Sequence, residues 1–263
     1  MKSKLFFLIL GLSLTHTSMP LKIGFCMVAT NKYICFTKPL IESCRKFFLP
    51  EHQKTFFVFS DTEEIVGSDL FADIKKSFGS DVIFSHQEHM PWPYPTLKRF
   101  EIYARHAKLF EDMDYIFAID SDMRFVGVVE NKVLSDLVGT RHPGFLTKKG
   151  PREQNKLSTA YERKFKNHPY FCGGFYGGKK ENFLNLCKQL ANNVNQDLKN
   201  KIIAVWRDET HLNAYFSRNP PTRILTSSYC YPENQTYPGL STCKPILLAI
   251  YKKNEFLALR KRN

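Results

Sequence analysis

The sequence predicts an α/β fold built on a mostly parallel, helix-covered central sheet. Three observations carry that expectation. Short apolar runs such as Tyr115–Ile119 show no polar alternation, as befits strands buried on both faces. Segments with apolar residues at helical spacing lie between those runs. The chain has 263 residues, 43% hydrophobic and 24% charged, which is a globular composition long enough for one large domain or two small ones. No apolar run approaches the roughly twenty residues of a spanning helix, which excludes a multi-span membrane protein.

The elements follow in order. Leu21–Val28 is a continuous apolar run and reads as a buried strand. Pro39–Phe48 carries apolar residues at helical spacing. Thr55–Ser60 (TFFVFS) is short and aromatic, a strand, and Ser68–Phe78 is a helix opened by a Ser cap. Val82–Ser85 is a short strand, and Thr96–Phe110 a long helix with a Thr cap. Tyr115–Ile119 is a strand that ends at Asp120, where ligands of parallel sheets bind. In the second half, Glu181–Asn193 and Ile202–Tyr215 read as helices, the latter with Asp208, Glu209 and His211 in its middle. The tail from Ser227 is irregular until Ile246–Tyr251. No repeat, linker or domain boundary is visible.

Lys2 and Lys4 precede apolar Leu5–Leu14, so residues 1–20 read as a hydrophobic leader: a cleaved signal, an uncleaved anchor or neither. Residues 21–263 are expected to form a single domain. Seven cysteines leave at least one unpaired. Cys26, Cys35 and Cys44 lie on apolar segments and read as buried, and Cys230 with Cys243 is a candidate disulfide. Asn234-Gln235-Thr236 is a glycosylation sequon, relevant only in a eukaryotic secretory pathway.

The net charge of +13 is local. Residues 141–166 carry an excess of +6, residues 244–263 an excess of +5 and the leader +2, over a neutral remainder. A polyanion or nucleic-acid binder, a site for a small anionic ligand, and a solvated surface all accommodate that pattern. The basic residues are not interleaved with aromatics along one helix, so no nucleic-acid partner is expected. Walker, GxGxxG, nucleophile-elbow and HExxH motifs are absent.

Three stretches carry chemistry. Asp120-Ser121-Asp122 follows a buried strand. Alternating carboxylates on a turn can share one hard cation, or simply terminate the strand. Asp208 and Glu209, about 100° apart on a helix, lie in an otherwise apolar stretch and are costly there unless used; an exposed polar face is the other reading. Phe171–Gly178 (FCGGFYGG) has paired glycines that let backbone approach a ligand, or make a turn between strands. Arg141-His142-Pro143-Gly144 opens the basic stretch.

With VATNKY, YIFAIDSDMRF, GTRHPGF, YFCGGFYGG and AVWRDETHLNAYF in this order, over about residues 21–262, the chain resembles glycosyltransferase family 6. The resemblance implies a GT-A type nucleotide-sugar-binding fold. It also implies retaining transfer of α-GalNAc or α-Gal from UDP-GalNAc or UDP-Gal to the 3-hydroxyl of a β-galactoside glycan or glycolipid. By similarity, Asp120 and Asp122 would hold Mn²⁺ (or Mg²⁺) at the donor diphosphate. Val28, Ala29, Thr30 and Tyr33 would line the uridine pocket, and Arg99 would reach the donor. Cys172, Gly173 and Gly174 would face the donor sugar. Asp208 would bind sugar hydroxyls on the donor and acceptor side. His142 and Trp206 would contact the acceptor, and Glu209 would be the carboxylate beside the anomeric carbon. Lys253 and Arg260 would pair with the departing diphosphate.

Bacterial members of the family with Asn-x-Asn work without metal, so the Asp-Ser-Asp here implies metal dependence. Gly174 leaves room for an N-acetyl group and favours GalNAc. The family's long stem has no counterpart before the first strand. The leader implies membrane association through residues 5–14, at the Golgi lumen for a eukaryotic source or the cytoplasmic side for a bacterial one. A glycan-binding relic without turnover is the other reading of the same motifs.

Overall fold

The computed structural model describes residues 19–162 and 168–250. β1 (Lys22–Val28), β2 (Gln53–Ser60) and β3 (Val82–His86) alternate with α1 (Ile34–Phe47), α2 (Thr62–Val66) and α3 (Ser68–Phe78). α4 (Tyr94–Leu97) and α5 (Arg99–Arg105) lead to β4 (Tyr115–Ile119), β5 (Met123–Phe125) and β6 (Leu137–Arg141). Then come β7 (Phe171–Lys179), α6 (Lys180–Lys199), α7 (Arg207–Arg218), β8 (Arg223–Leu225), β9 (Tyr231–Pro232) and β10 (Leu247–Ala249).

The main sheet has seven strands in the order β3-β2-β1-β4-β7-β6-β8, and a small sheet joins β5, β10 and β9. Four of the six pairings in the main sheet are parallel, and β7 runs antiparallel to both β4 and β6. The α/β class and the mostly parallel sheet are therefore as expected, in the mixed form suited to a GT-A type fold. From β1 the chain winds one way to β2 and β3, and β4 lies on the other side. The crevice beyond the carboxyl ends of β1 and β4 is thus the switch point where such sheets bind ligands.

Why the strands are apolar throughout is visible in β1. Phe25 and Met27 pack on one face against Leu40, Ile41 and Cys44 of α1 and against Phe48. Cys26 points the other way, among Phe100 and Tyr103 of α5 and Leu186 of α6. Both faces are covered, so neither can be polar. Aromatic rings fill the first face: Phe25 meets Phe48 edge-on at 4.9 Å, and Phe117 stacks on Phe175 at 5.3 Å. Such pairs are worth about 0.5–1.5 kcal/mol each beyond buried area.

Six local expectations are corrected. The glycine-rich stretch is a fully buried strand, β7. A Cβ on Gly177 would sit 2.3 Å from the Ile116 carbonyl oxygen, so glycine there allows the close approach of β4. The Thr96–Phe110 helix is broken: Lys98 (ψ 0°) separates α4 from α5, and the Thr96 hydroxyl donates to the Pro93 carbonyl rather than capping. Helix α1 starts at Ile34, with Pro39 inside it rather than at its start. Residues 202–206 are not helical, so Asp208 and Glu209 occupy the first turn of α7, not its middle. Cys35 is exposed, and Cys230 forms no disulfide with Cys243. Among the described residues no helix is long and apolar enough to cross a membrane. Residues 5–14, Lys253 and Arg260 lie outside the described residues.

Candidate active site

Asp120 comes directly after β4, beside the end of β1, and its amide donates to the Gly174 carbonyl on β7 at 3.0 Å. Asp122 lies two residues on, where its carbonyl accepts from the Ile250 amide at 2.9 Å, tying the turn to the end of β10. Val28, Ala29 and Thr30 lead out of β1. Ala29 is held by its amide to the Phe59 carbonyl (2.9 Å) and by its own carbonyl, which accepts from the Ser60 hydroxyl (2.8 Å). The Thr30 hydroxyl shares a 3.0 Å hydrogen bond with His89, and Tyr33 ends the turn that enters α1.

Arg99, the first residue of α5, is 7% exposed and links three elements. Its guanidinium lies 2.8 Å from Asp120 Oδ1 and 3.4 Å from Asp208 Oδ2, and donates to the Gly173 carbonyl at 2.9 Å. One cation thus faces two carboxylates that would otherwise repel across a narrow gap. Burial pushes the Asp208 carboxyl up, and Arg99 beside it holds it back down.

Glu209 accepts from the Gly173 amide at 2.9 Å. Burial pushes its carboxyl up to about 8, while that amide draws it back down and the neighbouring Asp208 raises it. His142 follows β6; its Nδ1 accepts from the Gly144 amide at 3.0 Å, and Nε2 stands 4.0 Å from Glu209 Oε1. Burial lowers that imidazole to about 4, so it faces Glu209 as a neutral group. Trp206 is half-exposed and stands edge-on to His142 at 6.2 Å. The structure therefore brings together Arg99, Asp120, Asp208, Glu209, Gly173, Gly174, His142 and Trp206.

Gly173 and Gly174 sit where β7 passes this cluster. A Cβ on Gly173 would approach Asp208 Oδ2 to 3.1 Å, and one on Gly174 would approach Met123 Sδ to 3.3 Å and Asp120 Oδ2 to 3.5 Å. Cys172 is buried against Cys230, whose thiol is raised by their mutual hydrogen bond and by burial. Asp120 engages Arg99 through Oδ1, which leaves Oδ2 for another partner. Among the described residues no cluster of three or more His, Cys, Asp or Glu forms a metal cage. A hard cation here would therefore take most of its oxygens from a ligand and water.

Sequence reasoning missed three residues. Tyr170 faces Glu209, and burial together with that carboxyl raises its phenol. Asn213 binds the Phe171 amide and carbonyl (2.9 and 2.8 Å) and the Glu209 carbonyl (2.8 Å), clamping α7 to β7. Its position four residues after Glu209 was a usable signal, because i and i+4 share a helix face. His89 carried no signal short of the fold.

A sequence model described as "Glycosyltransferase family 6" matches residues 10–260. Relatives include the mouse globoside alpha-1,3-N-acetylgalactosaminyltransferase 1, 27% identical over 89% of this chain and 67% of the relative. The rat histo-blood group ABO system transferase 1 is 29% identical over 80% of this chain and 61% of the relative. The Escherichia coli O-antigen biosynthesis glycosyltransferase WbnI is 31% identical over 78% of this chain and 86% of the relative. The chain spans about two thirds of the length of the mammalian relatives it matches.

Proposed function

The chain belongs to glycosyltransferase family 6, and on that premise we propose that it is a retaining hexosyltransferase. It moves α-GalNAc or α-Gal from a UDP-sugar to the 3-hydroxyl of a β-galactoside, with residues 21–263 as one catalytic unit. The observation that carries the reading is the Glu209 carboxylate anchored to the Gly173 amide beside the Arg99–Asp120–Asp208 bridge. The mouse and E. coli relatives, by name an N-acetylgalactosaminyltransferase and a glycosyltransferase, support the class.

In this reading Val28, Ala29, Thr30 and Tyr33 form the uridine wall at the switch point. Asp208 holds sugar hydroxyls, and Arg99 holds Asp208 and Asp120 in place. Asp120 Oδ2 and Asp122 are hard oxygen donors that fit Mn²⁺ or Mg²⁺, which supplies positive charge to the diphosphate. Retention needs a carboxylate on the face opposite the leaving group or an ion pair attacked on the same face, and Glu209 serves either path. His142 and Trp206 frame the acceptor, and the neutral imidazole leaves the incoming hydroxyl near Glu209. Gly173 and Gly174 let the donor sugar lie against backbone. Gly174, with no side chain toward Asp120 and Cys230, favours the larger GalNAc. Lys253 and Arg260 take the departing diphosphate. Residues 5–14 hold the enzyme at a membrane where UDP-sugar is supplied.

A screen of UDP-sugars for UDP release, with Mn²⁺ and a β-galactoside, tests the reading. Turnover is expected with UDP-GalNAc or UDP-Gal and is lost on adding chelator. Asp122→Ala and Glu209→Gln are each expected to lower it by about 10²-fold or more. Undiminished turnover in both variants would sink the assignment.

A further inference from the structure

Resting on the transferase reading above, we propose that the natural acceptor is an anionic glycan. A phosphate, sulfate or carboxylate that it carries sits in the basic cavity beside the acceptor residues. The cavity has a volume of about 1130 Å³, and Arg141, Lys148, Lys149 and Arg152 lie on its wall together with His168. Among the described residues no Asp or Glu lines it. Ligand pockets of roughly 300–1,000 Å³ enclose molecules of drug size, so this one has room for an oligosaccharide.

Four cations on one concave wall repel one another. Glu162 takes up part of that charge through a 2.8 Å ion pair with Arg152, and the Lys148 ammonium leans over the Phe145 ring at 5.5 Å. A concave wall of one sign concentrates anions far more than the same charges spread on a convex surface. The wall is also built rather than loose. A Cβ on Gly150 would lie 2.2 Å from the Tyr170 ring, so the basic loop crosses that ring in direct contact.

The cavity adjoins the acceptor side of the site. Tyr170 lines it and faces Glu209. Phe145 lines it and meets Tyr170 edge-on at 4.9 Å and Trp206 at 5.8 Å. An aromatic partition one side chain thick thus separates the cations from the proposed acceptor subsite. The proposed uridine wall and metal-binding carboxylates hang on the ends of β1 and β4, whereas Arg141 ends β6 and Tyr170 precedes the donor-sugar glycines of β7. The charge belongs to what enters from the β6 side. Two sources share this chemistry: an acid group on the galactose itself, or a phosphate at the reducing end of the acceptor.

The test uses the full chain with Mn²⁺ and the donor found in the screen, and three acceptors: lactose, 6′-sulfolactose and lactose 1-phosphate. At least one charged acceptor is expected to exceed lactose in kcat/KM by about tenfold, through KM, as a charge-assisted contact allows. Which one does so locates the anion. Lys149→Ala and Arg141→Ala are each expected to erase the preference while turnover of lactose and the donor KM stay unchanged. Lys149 is exposed, so its variant keeps the fold; circular dichroism checks the other. Equal kcat/KM for the three acceptors overturns the proposal, and so does a rise in donor KM in these variants. If no acceptor is turned over, the transferase reading fails on its own. Calorimetric binding of the three acceptors in the presence of UDP then still decides this proposal, because equal binding refutes it. Tight binding of duplex DNA with a steep salt slope and no response to any galactoside would mark the wall as a general polyanion surface, and also overturn it.

Discussion

Replacing Arg99 with Met keeps the apolar stem of the side chain and deletes the fork that holds the site together. The variant loses a 2.8 Å contact to Asp120, a 3.4 Å contact to Asp208 and the 2.9 Å bond to the Gly173 carbonyl. The Asp120 side chain is 37% exposed, so its share of the loss is screened to under about 1 kcal/mol. The Asp208 side chain is 12% exposed and becomes an uncompensated buried charge. Breaking a buried pair from one side costs about 3–5 kcal/mol. For a domain of this size each kcal/mol lowers Tm by about 2–4 °C, so a drop on the order of 10 °C is expected. The pH dependence carries a signature. Burial already raises the Asp208 carboxyl, and without Arg99 it rises further. A raised folded-state value contributes stability at low pH that is lost as pH rises. The difference between wild type and Arg99→Met should therefore shrink at pH 5 and be largest above pH 7. Thermal melts followed by circular dichroism at both values read it. A Tm within about 2 °C of wild type at pH 7.5, or a gap that widens on acidification, would refute the reasoning.

Glu209, held near 8 by burial, is mostly protonated in the free protein at neutral pH. The proposed transfer needs it ionised, so kcat/KM should climb about tenfold per unit from pH 6 and level off near 8; a flat profile contradicts that role. The same elevation favours folding below about 4.5 and is lost as pH rises through about 8. Glu209→Gln should thus melt above wild type at pH 9 and not at pH 4.5, as scanning calorimetry can show. In Gly177→Ala the new methyl would collide with the Ile116 carbonyl, and a loss of more than about 3 kcal/mol is expected in urea titration, because the backbone of β4 cannot yield. Asp197 accepts from the Ser158 hydroxyl at 2.5 Å and the Thr159 amide at 2.8 Å, and lies 3.6 Å from His211. Asp197→Ala should cost about 3–5 kcal/mol and expose the chain near residue 158 to limited proteolysis.

Much of this architecture was legible in one dimension. β1, β2, β3 and β4 announce themselves because a strand buried on both faces must be apolar at every position, as Phe25, Cys26 and Met27 are. The place of Asp120 follows from the same fact, since a carboxylate cannot continue such a strand. Residue types alone also single out Asp208 and Glu209 as acids in an otherwise apolar stretch, and Asp120 with Asp122 as alternating carboxylates on a turn. What only the tertiary structure decided is how these groups meet. The glycines of β7 read locally as a turn or as backbone open to a ligand, and lie in a strand where β4 leaves no room for a side chain on Gly177 and the chain entering β6 none on Gly178. Asp208 and Glu209 moved from mid-helix to the first turn of α7, where helix amides and the Gly173 amide face them. The partnership of Arg99 with Asp120 and Asp208 spans more than a hundred residues, and no local propensity encodes it. Periodicity records which face of an element is buried; which charges share a cleft depends on long-range strand order, and that emerges only when the sheet closes its pairings.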